Sequence, residues 1–313
     1  MAITPQQAKP KAVFLDALSL GPIDLSPLEE HAELVCWPST QPSACLQRLD
    51  GAAIAITNKI RLDADLLHQL PDLRLICAAS TGTDQVDHGA CQELGIEVRN
   101  AGRYSKASVV QVTWALILEL ACQLQTRRQQ VRDGQWQRSP VFALVEPEFD
   151  ELAGRHLSVI GAGDIGNGVA AIGEAFGMTV DRITSRSSAA QLEAALRAAD
   201  VVSLHAPLTA HTQGLINRER LRWLKPSALL VNLGRGGLVE MPALVEALTT
   251  GQLAGAALDV LAHEPPGEEL EALKTVPNLL ITPHVAWTSR QARQRLVATL
   301  GDHLKAFREE SKR

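Results

Sequence analysis

Short apolar runs alternate with polar, helix-compatible stretches along almost the whole of this 313-residue chain. In the first third the runs are AVFLDAL from Ala12, AELVCW from Ala32, GAAIAIT from Gly51, LRLICAAS from Leu73 and IEVRN from Ile96. From His156 the pattern resumes with HLSVIGAG, MTVDRITS, DVVSLHAP, ALLVNLGRG, GAALDVL and LLITPHV. A strand that is apolar throughout must be covered on both faces, and helices between successive strands favour parallel pairing. The pattern therefore predicts an α/β protein of two lobes, each a doubly wound parallel sheet. Length agrees, because a chain this long rarely closes around one core. The second lobe is expected to begin near the long helical stretch after Arg103. The final helix, roughly Thr288 to Phe307, has no following strand and should pack back on the first lobe.

Composition removes several classes of partner. A formal net charge of -5 argues against nucleic acid, whose phosphates select a basic surface. The opening MAITPQQAKPK is polar, with no charged-then-apolar leader, so no secretory signal is expected. The most apolar helical stretch, VVQVTWALILELAC, is broken by Gln111, Thr113 and Glu119 and is too short to span a bilayer, so no membrane partner is expected. It reads as a buried or subunit-contact helix. The cysteines Cys36, Cys45, Cys77, Cys91 and Cys122 are scattered without Cys-x-x-Cys spacing, which predicts reduced thiols and a cytoplasmic protein. No His/Cys cluster has zinc-ligand spacing, so no metal is expected.

One strand carries a second signal. HLSVIGAGDIGNG places Gly161, Gly163 and Gly166 in GxGxxG spacing, with Asp164 and Ile165 inside the fingerprint. The first glycine permits a tight turn, the second lets backbone approach a pyrophosphate, and the third lets helix and strand pack closely. The helix N-terminus then offers N–H groups and its dipole to phosphate. A dinucleotide site is predicted. An NAD site normally has an acid at the tip of the next strand, for the ribose 2′-hydroxyl. In GMTVDRITSRSS the acid Asp181 falls mid-run, and the tip residues are Thr184, Ser185 and Arg186. Hydroxyls followed by a guanidinium suit a 2′-phosphate, so the expected order is NADP(H) ahead of NAD(H).

Ligands of open α/β sheets bind beyond the carboxyl ends of the strands. LLVNLGRGGLVE presents Arg235 there, GAALDVLAHEPP presents Asp259 and then Glu264, and LLITPHVAWTS presents His284. Taken singly these are a turn arginine, a loop acid and a strand-end histidine. Together, beside a nicotinamide, they are what reduction of a 2-keto acid requires. A cation fixes the substrate carboxylate, an imidazolium protonates the keto oxygen, and a carboxylate orients the ring.

In order and spacing, GAGDIG, HAPLTAHTQGLIN, VNLGRGGLVE, GAALDVLAHEPP and TPHVAW resemble the D-isomer-specific 2-hydroxyacid dehydrogenase family. STGTDQVD, Ser80 to Asp87, resembles that family's substrate-carboxylate loop. HVAW and VTWALILEL look most like its glycerate dehydrogenases, also called hydroxypyruvate or glyoxylate reductases.

The resemblance implies a Rossmann cofactor domain, residues 103–285, inserted in a flavodoxin-like substrate domain, residues 1–102 plus 286–313. It implies that Arg235 binds substrate, Glu264 pairs with the histidine and His284 is the acid/base. Thr81 and Gly82 would meet the substrate carboxylate through their backbone. Pro207, Thr212 and Leu233 would line the cofactor cleft, and Asp259 would lie near the nicotinamide amide. It further implies a homodimer built on cofactor-domain helices. The expected activity is NADP(H)-preferring reduction of hydroxypyruvate and glyoxylate. Other dehydrogenases of the family, acting on phosphoglycerate, phosphite, formate or larger D-hydroxy acids, and a non-catalytic dinucleotide-sensing scaffold, are the rivals.

Three departures stand out. Asp164 occupies a position often basic or small, so its carboxylate must turn away from the pyrophosphate. Glu240 replaces a usual aspartate, and VVQVT a more usual VAQHT. His205 and His263 are assigned no role, and Trp287 either walls the substrate pocket or packs.

Overall fold

The computed structural model describes residues 9–310, so most of the polar opening stretch and the last three residues lie outside it. Two compact units divide the chain: one runs to Ser105 and resumes at Thr288, and the other is Lys106–Trp287.

The first unit is a parallel sheet of β1 (Lys11–Phe14), β2 (Glu33–Cys36), β3 (Ile54–Thr57), β4 (Leu75–Ala78) and β5 (Glu97–Asn100). Its strand order, β2-β1-β3-β4-β5, is the flavodoxin-like one. Every residue of β3 and β4 is buried, whereas no residue of the edge strands β2 and β5 is. Central strands need apolar side chains on both faces, which is why their sequences read as unbroken runs. The final helix, Arg290–Glu310, belongs to this unit and buries Ala292, Leu296, Leu300 and Leu304, a stripe at helical spacing.

The second unit holds β6 (His156–Ile160), β7 (Thr179–Ile183), β8 (Val201–Leu204), β9 (Leu229–Asn232), β10 (Gly255–Leu258) and β11 (Leu279–Ile281). All pair in parallel, in the order β11-β10-β9-β8-β6-β7. Alternate residues serve opposite faces: Val201, Val231 and Ala257 join one apolar cluster, while Val202, Leu230 and Ala256 join the other. The chain winds one way from β6 to β7 and the other way from β6 to β8, which opens a crevice at the carboxyl ends of β6 and β8.

The helices α1 (Lys106–Cys122), α2 (Leu124–Arg132) and α3 (Asp164–Ala175) also belong to this unit. Trp114 on α1 donates to Val169 O on α3 at 3.1 Å, which fixes the two helices together. Among the described residues no single helix is long and apolar enough to cross a membrane; α1 and α2 pass only as a pair bent by 58°. Helix α1 spends its apolar side chains, Val109, Trp114 and Ile117 among them, on the core of its own unit.

Candidate active site

The turn after β6 is made by close approach. Gly161 has φ +93°, and a Cβ there would stand 2.4 Å from Ala206 N, just past β8. A Cβ at Gly166 would stand 2.4 Å from Gly161 O, so α3 rests directly on the turn. Gly163 is different: nothing lies within 4 Å of its would-be Cβ, and it is the N-cap of α3 with no side chain capping the helix. Two glycines bring backbone together, and the third leaves open the space in front of a helix N-terminus. That is a cradle for a pyrophosphate. Ile165 packs its side chain on the apolar cluster beneath. The carboxylate of Asp164 is held by Lys106 Nζ at 3.0 Å.

At the tip of β7 the chain folds into a preformed turn. Thr184 N donates to Ser187 Oγ at 3.1 Å, and Arg186 N donates to Thr184 Oγ1 at 3.2 Å. Thr184, Ser185 and Arg186 are all exposed there. Asp181 lies two residues before the strand end and pairs with His156 Nε2 at 2.7 Å, so its carboxylate is occupied away from the tip. Past β8, Thr212 Oγ1 accepts from Thr209 N at 2.8 Å and donates to Pro207 O at 2.7 Å, which closes the loop carrying both predicted cleft residues. Leu233, directly after β9, is buried.

Beyond the neighbouring strands β9, β10 and β11 stand the three chemical side chains. Asn232, fully buried at the end of β9, donates to Arg235 O at 2.9 Å and accepts from Gly234 N at 3.0 Å, which shapes the turn that presents Arg235. A Cβ on Gly236 would lie 2.0 Å from Leu261 C, so this turn is seated on the backbone leading to Glu264. Glu264 Oε1 accepts from Leu261 N at 2.8 Å, and Oε2 meets His284 Nδ1 at 2.5 Å. An ionised carboxylate only accepts, so Nδ1 carries the hydrogen and Nε2 is left for other use. The two side chains keep 29% and 25% of their surface, enough for a small molecule to reach the ring.

His284 sits at φ +52°, an uncommon backbone for a residue with a Cβ. Asp259 explains how it is held. This carboxylate, 1% exposed, accepts from Thr282 Oγ1 at 2.6 Å and Val285 N at 2.9 Å through Oδ1, and from Ala286 N at 2.9 Å through Oδ2. Those donors bracket His284 on both sides. The structure thus gives Asp259 an internal task, fastening the loop that carries the imidazole, beside the role near the nicotinamide that the resemblance implies.

In the first unit, Thr81 and Gly82 follow β4. Asn100 Nδ2 donates to Thr81 O at 2.7 Å, Thr81 Oγ1 to Gly102 O at 2.8 Å, and Ser80 Oγ to Gly82 O at 2.6 Å. Carbonyls and hydroxyl are thereby engaged, while the N–H groups of Thr81 and Gly82 have no partner among the described residues. Such a loop suits an anion.

Residues 114–286 match the NAD binding domain of the D-isomer specific 2-hydroxyacid dehydrogenases. The chain belongs to that family. Glycerate dehydrogenase of Methylorubrum extorquens is 39% identical over 303 residues, covering 95% of this chain and 96% of its own. An NADPH-dependent glyoxylate/hydroxypyruvate reductase from Sinorhizobium meliloti, solved with NADP and malonate, superposes with a TM-score of 0.82 at 29% identity, covering 96% and 94% of the two chains. D-Lactate dehydrogenase from Aquifex aeolicus, solved with NAD and lactic acid, gives 0.84 at 28% identity, covering 95% of each.

As a 2-hydroxyacid dehydrogenase, the chain shows three features that motif reading passed over. Asn232 was visible as a lone amide closing the apolar run LLVN. The second task of Asp259 had no local sign, since a carboxylate after an apolar strand reads the same whether it faces ligand or loop. Lys106 stands 58 residues from Asp164, and no spacing rule links them.

Proposed function

We propose that this dehydrogenase reduces small 2-keto acids, hydroxypyruvate and glyoxylate foremost, to D-glycerate and glycolate, and that it prefers NADPH. The observation that carries the reading is the Glu264–His284 pair at 2.5 Å, standing at a strand end next to the turn of Arg235. A bound nicotinamide supplies the hydride that goes to the keto carbon. His284 holds on Nε2 the proton that goes to the keto oxygen, and takes it back in the reverse direction. Glu264 fixes the ring and its tautomer. Arg235 binds the substrate carboxylate and draws charge toward the oxygen. The names of the glycerate dehydrogenase and glyoxylate/hydroxypyruvate reductase relatives support the substrate class.

The coenzyme preference rests on the exposed Thr184, Ser185 and Arg186, with no carboxylate at that tip to repel a 2′-phosphate. Following absorbance loss of NADPH and NADH with hydroxypyruvate, glyoxylate, pyruvate and longer keto acids tests both halves. Fast turnover of the two smallest hydroxylated or unsubstituted acids with NADPH is expected. Arg186→Gln should raise KM for NADPH about 10-fold, the worth of one charge-assisted contact, and leave NADH unmoved. A wild-type preference for NADH defeats the coenzyme assignment, and a preference for bulky keto acids defeats the substrate one.

The reading includes a homodimer in a reducing cytoplasm, with which five free cysteines accord. Following α2, Trp136, Val141, Phe142, Val145 and Phe149 are exposed, Phe142 at 93%. Arg127 meanwhile donates to the carbonyls of Leu144 and Glu146, which ties the segment's backbone to α2 while its apolar side chains face outward. An apolar patch of that extent marks an interface. Sedimentation should give twice 33.7 kDa, and Phe142→Asp should shift the protein toward that single mass. A wild-type monomer at micromolar concentration refutes the dimer.

A further inference from the structure

The residues assigned above leave the pairing of Lys106 with Asp164 unexplained. Asp164 opens α3, where a carboxylate is favoured by the helix dipole until a pyrophosphate arrives at the same end. Two anions would then compete for one helix N-terminus. Lys106 is the first residue of α1, and its Nζ meets Asp164 Oδ1 at 3.0 Å with the two side chains 47% and 30% exposed.

The route of the lysine is built into the packing of the two helices. Gly168, one turn along α3, has no side chain; a Cβ there would stand 2.8 Å from Val110 Cγ2 and 3.5 Å from Lys106 Cε. The gap lets α1 lie close on α3 and lets the lysine stem run along it to the fingerprint turn. An ammonium has three donors, and the ion pair occupies one. Gly163 beside it leaves its surroundings open.

We infer that Lys106 is a ligand of the coenzyme pyrophosphate, and that Asp164 is the tether holding its ammonium at the mouth of α3. The pair offsets the carboxylate and fixes beside it an ammonium with donors to spare, and so answers the departure seen in the fingerprint. The inference rests on the reading that this unit binds a dinucleotide.

Isothermal titration needs no turnover and separates the terms. NADPH and ADP-ribose, which carry the pyrophosphate, and 5′-AMP, which does not, are titrated into wild type, Lys106→Gln, Lys106→Arg, Asp164→Asn and the Gln/Asn double variant. Lys106→Gln should weaken NADPH and ADP-ribose about 10-fold with little change for 5′-AMP, since one charge-assisted contact to the pyrophosphate is lost. Lys106→Arg should retain most of the affinity. The double variant should bind more tightly than Lys106→Gln, because the repelling charge is gone. Unchanged ADP-ribose affinity in Lys106→Gln, equal losses for ADP-ribose and 5′-AMP, or no recovery in the double variant overturns the inference. A wild type that binds none of the three overturns the dinucleotide reading itself, whereas binding with indifferent variants overturns only the role of Lys106.

Discussion

His284→Ala should lower turnover of hydroxypyruvate by ~10²–10⁴-fold, the usual contribution of a positioned acid–base group. Coenzyme affinity should stay where it was, because the fingerprint turn lies at β6 and β8, away from β11. The backbone complicates the choice of variant. At φ +52° alanine is more strained than histidine, so some of its effect would come from a relaxed loop. Asparagine tolerates this conformation better, and His284→Asn isolates the missing proton donor. Both variants should be equally slow. Glu264→Gln should be slow as well, because an amide has no charge to balance a protonated ring and, by presenting N–H to Nδ1, holds the opposite neutral tautomer with its hydrogen on Nε2. Steady-state rates of the three variants across pH check the scheme, and near-normal turnover in either His284 variant removes the imidazole from the chemistry.

Asp259→Ala should be the most damaging change that touches neither catalytic partner. It leaves three donors around a buried site without their acceptor: Thr282 Oγ1, Val285 N and Ala286 N. Unsatisfied buried donors cost ~1–3 kcal/mol each, so a loss of about 3 kcal/mol or more is expected. In a chain of this size that lowers Tm by roughly 6–12 °C. The same bonds hold the backbone of His284 in a region that costs ~1–3 kcal/mol, and without them the loop relaxes and carries the imidazole off target. A displacement of that kind typically costs ~10²-fold in rate. Asp259→Asn should fall between, since one amide oxygen can still accept from Thr282 and Val285 while its NH₂ confronts Ala286 N. Calorimetry together with kcat/KM tests this, and an alanine variant with wild-type Tm shows that the clamp is unimportant.

What was legible in the sequence followed from burial and strand direction. Strands covered on both faces must read as apolar runs, so β3, β4, β8 and β10 announced themselves, and parallel order put the ends of β9, β10 and β11 side by side. Arg235, Glu264 and His284 could be picked out because each follows such a run. Pairings set by three-dimensional packing were not legible. Asp181 was visible as an acid in the wrong place for a ribose, but its partner His156 lies on the adjacent strand 25 residues earlier. The inward turn of Asp259 depends on a loop that bends back over β10. The lysine that answers Asp164 arrives from another helix.

The missing side chain at residue 236 sets a limit on how this enzyme can be altered. With the peptide of Leu261 where a methyl group would go, the arginine turn and the acid-bearing segment form one mechanical piece. On the roles proposed for Arg235 and Glu264, a substitution at that joint disturbs anion recognition and proton delivery together, so selection for a new substrate cannot tune one and spare the other there. Changes of scope must therefore arise in loops that do not share this seam.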